Sequence, residues 1–169
     1  LSVELNPARD GVLYRAWHLR DVAWVEGPTG EVETIFRKWK PAASTLARLF
    51  PKTVHQRVKD KVAKTPYDEI NVLHCVMPTA VFLELDGVRE EKFRQPYVSV
   101  YIDTDNDCEM ECVGSWTPHY VIPRWSTVSG SQYAHSPAGV AGLPDARLLQ
   151  QVALTLLEAG EKAVSPPMV

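Results

Sequence analysis

Two stretches among the first forty residues have the side-chain patterns of β-strands. Residues 13–26 are rich in β-branched and aromatic side chains, and the turn sequence Gly27–Gly30 follows them. Strand-like alternation then resumes over 32–39, where Val32 and Thr34 share one side of an extended chain. Two such runs joined by a glycine-rich turn predict a β-hairpin.

A helical pattern follows. Apolar residues stand at helical spacing in 44–50, and after a proline a second stripe recurs every four residues. The two sets are Leu46, Leu49 and Phe50, and then Val54, Val58 and Val62. Lysines and arginines lie mostly off the second stripe. A DNA-facing helix would show this pattern, but so would a solvated one, and the solvated interpretation is favoured because no aromatic residue is available there to contact bases.

The middle of the chain predicts further strands. The apolar run 70–77 suits a buried strand, and the charged stretch 84–94 is expected to be a loop. A second hairpin, a further short strand and an irregular segment rich in small residues are then expected. They are assigned to 96–103 with 108–116, to 121–125, and to 130–142.

The clearest helix begins at Pro144, because proline suits a first helical turn, where its missing N–H would have no partner. Asp145 stands where the helix dipole favours a negative charge. Leu149, Val152, Leu156 and Ala163 form an apolar stripe that Leu148, Ala153 and Leu157 broaden. The helix is expected to end at Ser165, before two prolines. The fold class is therefore α+β, with antiparallel β-hairpins or a sheet, a short helical pair and one long C-terminal helix.

Composition narrows the class of protein. The chain has 169 residues, 45% of them hydrophobic, which is enough for a core without disulfides or metals. A net charge of −3 argues against a strongly basic nucleic-acid binder. No apolar run has the length of a membrane helix, and the start does not resemble a signal peptide. We expect a segment of a longer polypeptide from a reducing compartment.

Two stretches of the chain partly match the patterns of metal sites. The acidic turn 103–107 opens like a calcium loop, but Cys108 stands where that loop needs glycine and Gly114 where it needs glutamate. A zinc site would combine Cys108 and Cys112 with His119 or His74. On a straight strand these cysteines and Met110 share one face, with the cysteines about 13 Å apart, which does not suit one tetrahedral ion. Hence no metal and no cofactor are expected.

The sequence motifs also give little support for an enzyme. Ser129 and Ser131 lie near His135, with Asp145 beyond, but no spacing makes them a triad, and the G-x-S-x-G elbow is absent. The chain also has no P-loop, so ATP hydrolysis is not expected. We therefore expect a protein that is not an enzyme and has no small-molecule substrate.

The C-terminal part has a more specific pattern. Pro123-Arg124-Trp125 is followed by Gly130 to Pro137, then by Leu143-Pro144-Asp145, and then by a helix ending in two prolines. This order resembles the head-to-tail connecting (portal) proteins of podovirus-type tailed bacteriophages. The resemblance is specific over 96–169 and looser over 13–95. Ala134 departs from the pattern, which has glycine there, so the local turn could differ if a positive φ is required.

The resemblance implies that 1–143 is the wing-like α+β domain of a portal subunit and that 144–169 is a helix leading towards the stem and clip. It implies a dodecameric ring of identical subunits at a capsid vertex, through which double-stranded DNA passes during packaging and ejection. Capsid, terminase and tail proteins would be partners of the full-length protein, with no membrane contact. The protein would belong to the virion and assemble in the bacterial host cytoplasm. A tail adaptor or scaffold, or a phage hydrolase or metal-dependent enzyme, are the alternatives.

Structural roles can be assigned to nine residues. Arg124 and Trp125 are expected to form an anchor, with Trp125 buried and Arg124 bound to a carboxylate or to carbonyl oxygens. Tyr133 and Pro137 should shape the loop before the helix that Pro144 and Asp145 begin. The stripe of Leu149, Val152 and Leu156 should pack on the sheet, or on a neighbouring subunit if the domain leaves it exposed.

Overall fold

The computed structural model describes residues 1–5, 11–86, 93–128 and 130–165, and these form two compact units, Leu1–Ile122 and Pro123–Val169. The strands are β1 (Ser2–Leu5), β2 (Val12–Arg15), β3 (Val22–Glu26), β4 (Val32–Trp39), β5 (Val72–Pro78), β6 (Tyr97–Asp103) and β7 (Cys108–Ser115). The helices are α1 (Ala43–Leu49), α2 (Gln56–Lys64), α3 (Thr79–Asp86) and α4 (Leu143–Val164). The mixed α and β class predicted from the sequence is confirmed, whereas the sequence-based division of the chain begins its second part later, at residue 144.

The main sheet is a five-stranded antiparallel meander in the order β3-β4-β5-β6-β7, and β1 pairs separately with β2. The second predicted hairpin is confirmed as β6–β7, and the first is confirmed as β3–β4 over 22–26 and 32–39. The rest of its predicted first arm is not one strand, because β2 pairs with β1 and Leu19–Asp21 forms a 3-10 turn. In the β3–β4 turn the Gly27 N–H donates to the Glu31 carbonyl at 2.9 Å, and Gly30 adopts a φ of +78° that glycine tolerates. β5 is the central strand, as its apolar run predicts.

Helices cover both faces of this sheet. The predicted helical pair is confirmed as α1 and α2, and Leu46 and Val58 from it are fully buried against Val72 and Met110. The other face contains a row across four strands, in which Phe36 pairs with Cys75, Cys75 with Val100, and Val100 with Cys112. Phe82 of α3 packs on this second face.

Helix α3 was not predicted, and it corrects the loop assigned to 84–94. Residues 84–86 are its last turn, residues 93 and 94 are irregular, and the rest of that stretch lies outside the described residues. The Thr79 hydroxyl donates to the Gln95 carbonyl at 2.6 Å and its N–H to the Pro96 carbonyl at 2.9 Å. Contact with the sheet, through Phe82, thus stabilises an eight-residue helix that would be marginal alone.

The short strand predicted over 121–125 is wrong. Tyr120 forms only an isolated bridge with Ser2, and the Val121 N–H donates to the Leu1 carbonyl at 2.8 Å. Pro123 has no N–H to donate, so ladder pairing cannot continue through it. The apolar character of residues 121–125 is therefore not sufficient to predict a strand.

A β-bulge corrects the expected cysteine geometry. Tyr101 pairs with Glu111 and Ile102 with Glu109, so Met110 is an extra residue in β7. Met110 is buried on the face covered by α1 and α2, whereas Cys112 packs on the opposite face. Because the bulge interrupts the alternation, the shared face predicted for Cys108, Met110 and Cys112 does not exist.

Candidate assembly surface and buried polar cluster

The loop before the long helix is closed by local hydrogen bonds. The His135 N–H donates to the Ser126 carbonyl at 2.9 Å. The Ser131 hydroxyl donates to the Tyr133 carbonyl at 3.1 Å and accepts from the Tyr133 N–H at 3.3 Å. Tyr133 thus lies in a tight polar turn with its side chain exposed, and its role in shaping this loop stays a prediction.

Ala134 is compatible with the backbone of this loop. Asp107 is the only residue other than glycine with a positive φ in the described part of the chain. Ala134 therefore has a backbone conformation that alanine adopts without strain. The departure from the family pattern at this position does not require a distorted turn.

The helical segment begins earlier than the sequence indicates. The Ser136 hydroxyl accepts from the Gly139 N–H at 3.0 Å, and Pro137 takes helical angles directly after it. A π-helical turn, Ala138–Gly142, then leads into α4, with the Leu143 N–H bonded to the Ala138 carbonyl. Pro144 is therefore tolerated close to the start of α4, because a wider turn relieves the clash between a proline ring and the preceding turn. Asp145 lies in the first turn of α4, as predicted.

Helix α4 leaves its apolar stripe uncovered. Leu149, Val152 and Leu156 are 70%, 50% and 68% exposed, and Leu148 and Leu157 beside them are also exposed. Soluble monomers rarely leave a large contiguous apolar surface in water. We call the surface formed by Leu149, Val152 and Leu156 the α4 stripe.

The position of Trp125 contradicts the prediction that this residue is buried. Its side chain is 79% exposed, whereas the sequence interpretation made it a buried anchor. The reason is that 123–125 forms no strand, so no sheet neighbour covers the ring. Arg124 beside it is half-buried.

A buried polar cluster lies on the sheet face that carries Arg37, His74 and Tyr101, and sequence reasoning missed it. His74 Nε2 and the Ser99 hydroxyl are 2.8 Å apart, and His74 Nδ1 shares a short hydrogen bond with the Tyr120 hydroxyl. The available signal was one histidine inside the apolar run of β5, because a polar side chain in a buried strand needs partners.

Arg37 contributes a buried positive charge to this cluster. Its guanidinium carbon lies 4.1 Å from the ring centre of Trp17, 5.3 Å from that of Trp39 and 6.0 Å from that of Tyr120. Arg37 Nε has no hydrogen-bond partner among the described residues. The aromatic rings therefore contribute to the stabilisation of this charge, together with hydrogen bonds between Arg37 and the hydroxyls of Tyr101 and Tyr120.

Burial and this charge determine the protonation of the cluster. Burial, and next the charge of Arg37 and the proximity of His119, lower the pKa of His74 to about 3. Burial also raises the pKa of Tyr101 and that of Tyr120 above the usual range of tyrosine. His74 is therefore neutral at physiological pH, with one ring nitrogen donating and the other accepting.

A cleft of about 570 Å³ lies beside this cluster, between β1, β7 and the turn after β7. Glu4, Glu111 and Trp116 line it, together with His119. His119 Nε2 and the Ser115 hydroxyl are 2.9 Å apart.

The buried pair of Ser99 and His74 does not have the features of a hydrolase. A pKa of about 3 makes His74 a poor general base at neutral pH, and Ser99 is buried. Ser131 hydrogen-bonds within its own turn. Ser129 lies outside the described residues. The arrangement is therefore best interpreted as structural.

The acidic turn is closed by its own side chains. Asp103 is fully buried and accepts from the N–H groups of Asp105 and Asn106 at 3.0 and 3.2 Å. Its other oxygen accepts from Asn106 Nδ2 at 2.7 Å. Both oxygens of Asp103 are thus used in shaping the hairpin.

The cysteines of the described chain are free thiols. Burial raises the pKa of Cys75 to about 11, so this group is protonated at neutral pH, whereas metal ligation needs the thiolate. Within the residues described, no three His, Cys, Asp or Glu side chains are grouped so that they could hold a metal ion.

No helix in the described ranges combines the length and apolar character needed to cross a membrane.

Comparison with known proteins places this architecture in a class. The model of one family, described as bacteriophage head to tail connecting protein, matches residues 2–169. The match extends over nearly the whole chain, and the chain belongs to this family. The resemblance seen in the sequence is confirmed.

A curated relative of this chain is a portal protein of Salmonella phage epsilon15. It is 27% identical to this chain over 146 residues, which are 84% of this chain and 26% of the relative. The chain thus spans about a quarter of the length of that relative. None of the nine sequence-predicted structural residues has a role that these comparisons test.

Proposed function

We propose that this chain is part of a structural subunit of a phage portal, a ring that connects head and tail. Family membership gives the class of protein, and a portal protein is among its relatives. By the same reasoning the ring is dodecameric and double-stranded DNA passes through it during packaging and ejection. The subunit would carry out no chemical reaction.

The observation that supports ring assembly best is the uncovered α4 stripe. Its three large aliphatic side chains lie along a helix of 22 residues, which is about 33 Å long. Covering Leu149, Val152 and Leu156 with a second copy would remove their apolar surface from water, which favours association. Repeating one such contact between identical subunits generates a closed ring when the rotation closes.

The units of the structure suit different roles in this proposal. The unit Leu1–Ile122 has its own core around the five-stranded sheet, so it can serve as the wing of the subunit. Helix α4 would lead towards the stem, and Arg124 and Trp125 would contribute to the contact between subunits. Pro137 would begin the helical segment, because its missing N–H has no partner there.

The wider setting follows from the same proposal. Capsid, terminase and tail proteins would contact the full-length subunit, and no small-molecule substrate or cofactor is involved. The subunit would be a component of the virion that assembles in the host cytoplasm.

The complete gene product that carries this sequence provides the test. Light scattering and negative-stain electron microscopy should show a closed ring for the native protein. The triple variant Leu149→Ser/Val152→Ser/Leu156→Ser should lose the ring, because its helices no longer bury apolar side chains. A control with Gln151→Ser/Glu158→Ser/Lys162→Ser, on the opposite side of α4, should form the ring.

Two results would contradict the proposal. One is a native gene product that stays monomeric at high concentration. The other is an equal loss of assembly in both triple variants, which would mean that the α4 stripe is not the surface through which subunits join.

A further inference from the structure

Positive charge is strongly concentrated in one part of the chain. Nine of the 18 lysines and arginines lie between residues 37 and 67, a stretch that contains one of the 21 acidic residues. The chain as a whole has a net charge of −3. A net acidic protein therefore carries one markedly basic segment.

This segment forms the helical layer over one face of the sheet. Two of its cations do not belong to the outer surface of that layer: Arg37 is buried, and Lys38 follows it on the other side of β4. The other seven are exposed on α1, on α2 and in the adjoining turns, and we call them the basic layer. They are Lys40, Arg48, Lys52, Arg57, Lys59, Lys61 and Lys64.

Three of these side chains form a ridge along α2. Arg57, Lys61 and Lys64 stand at positions i, i+4 and i+7, so they share one side of the helix over about 10 Å. Val58, which is fully buried, packs the adjoining side of α2 against the core. Side chains of like charge at this spacing repel one another, and a bound polyanion would relieve that repulsion.

The surroundings of the ridge leave it with a net positive charge. None of its three side chains takes part in a hydrogen bond or ion pair in the part of the chain that the structure describes. Asp60, the acid of α2, accepts a hydrogen bond from Gln56 Nε2 at 3.1 Å. Asp105, whose oxygens accept from Asn71, offsets part of the charge of Lys61, and Arg57 and Lys64 keep the charge of the ridge positive.

The composition of this surface favours one class of partner. The exposed residues of α2 are charged or polar apart from Ala63, whereas the centre of a protein interface needs large apolar or aromatic anchors. Lysine, which dominates the basic layer, is depleted in protein interfaces. Lysine and arginine are in contrast the residues that neutralise phosphates along a DNA duplex.

We propose that the basic layer, with the ridge Arg57–Lys61–Lys64 at its centre, binds the phosphate backbone of duplex DNA. This rests on the proposed function, which brings the protein next to packaged duplex. Binding is independent of base sequence, because the ridge offers no aromatic or amide side chain to contact base edges. It is weak at physiological salt, since few phosphates are engaged.

The test is fluorescence anisotropy of a labelled duplex of about 20 base pairs, titrated with this chain at several salt concentrations. The variant Arg57→Gln/Lys61→Gln/Lys64→Gln should bind about tenfold more weakly at low salt, and the slope of log K against log salt should fall by about 3. A matched control, Arg15→Gln/Arg94→Gln/Arg147→Gln, removes the same charge from exposed sites elsewhere and should bind almost like the native chain. A duplex of unrelated sequence should give the same affinity.

Three results would overturn the inference. The first is that the native chain shows no measurable DNA binding at low salt, and the second is that both triple variants lose the same amount of DNA affinity. The third is that the ridge variant loses self-association while its DNA binding is unchanged. The last would show that the ridge contacts protein. Thermal unfolding of the variants shows whether each is folded. Because ring assembly is measured separately, a ring that forms without DNA binding to the ridge contradicts only this inference.

Discussion

The imidazole of His74 lies flat against the phenol ring of Tyr101, with the ring centres 3.9 Å apart and the planes 4° from parallel. The edge of the same imidazole is also satisfied, since its two nitrogens contact Ser99 and Tyr120. Tyr120 lies outside the sheet and joins the start of the chain through its bridge with Ser2. His74 therefore links the centre of the sheet to the segment that covers it.

We expect acid to destabilise the protein through His74. The pKa of this group is about 3 in the fold and 6.5 in an unfolded chain, so protons bind more strongly to the unfolded state. The contribution of neutral His74 to the free energy of unfolding is therefore fully present above pH 6.5. It is lost as the pH falls from 6.5 towards 3. Between pH 6.5 and about pH 5 the loss should be about 1.5 kcal/mol in the free energy of urea unfolding.

The control for this effect is the variant His74→Gln. It should be less stable than the native protein at neutral pH, because the stacked ring is lost, but its stability should change less over the same pH range. Parallel curves for the two proteins would show that other groups cause the acid sensitivity.

Tyr120→Phe should lower stability by about 1–3 kcal/mol, because it leaves a buried nitrogen of His74 without its partner. The melting temperature should fall by several degrees. Tyr67→Phe is the matched control, since Tyr67 is 85% exposed and the same atom is removed. If the two variants have the same melting temperature, the hydrogen bond to His74 makes no measurable contribution to stability.

The sequence predicted the fold well where a local pattern determines the element. The two hairpins follow from alternation and turn residues, and the α2 stripe follows from valines four residues apart. Helix α3 and the bulge at Met110 were missed because contacts with distant strands determine both. The spacing of apolar residues along the chain does not show which apolar segments will pack against the sheet.

The candidate site was harder to predict for the same reason. His74, Ser99 and Tyr120 come from three separate segments, and only the folded sheet brings them together. The stripe on α4 was visible from helical periodicity, but periodicity does not tell whether the chain itself or a second copy covers it. The exposed ring of Trp125 shows that a large aromatic residue in an apolar stretch is not necessarily a core residue.

Two tryptophans provide a paired test of this distinction. Trp24→Ala should lower the free energy of unfolding by about 3–5 kcal/mol, because its ring is 6% exposed and packs against Ile35 and Val76. Trp125→Ala should change it by less than about 0.5 kcal/mol, because its ring is 79% exposed. Urea unfolding of this chain measures both. A large loss in Trp125→Ala would mean that the ring is buried in solution and that its exposed position is wrong.

Asp103 should stabilise the β6–β7 hairpin without any metal. Its buried carboxylate accepts three hydrogen bonds from Asp105 and Asn106, so Asp103→Ala should lower the free energy of unfolding by about 1–3 kcal/mol. The exposed Asp107 makes none of these bonds, and Asp107→Asn, which keeps a residue tolerant of its positive φ of 48°, should have little effect. Millimolar calcium should leave the melting temperatures of the native chain and of both variants unchanged. A calcium-dependent rise in the native melting temperature that Asp103→Ala abolishes would instead show that these oxygens are metal ligands.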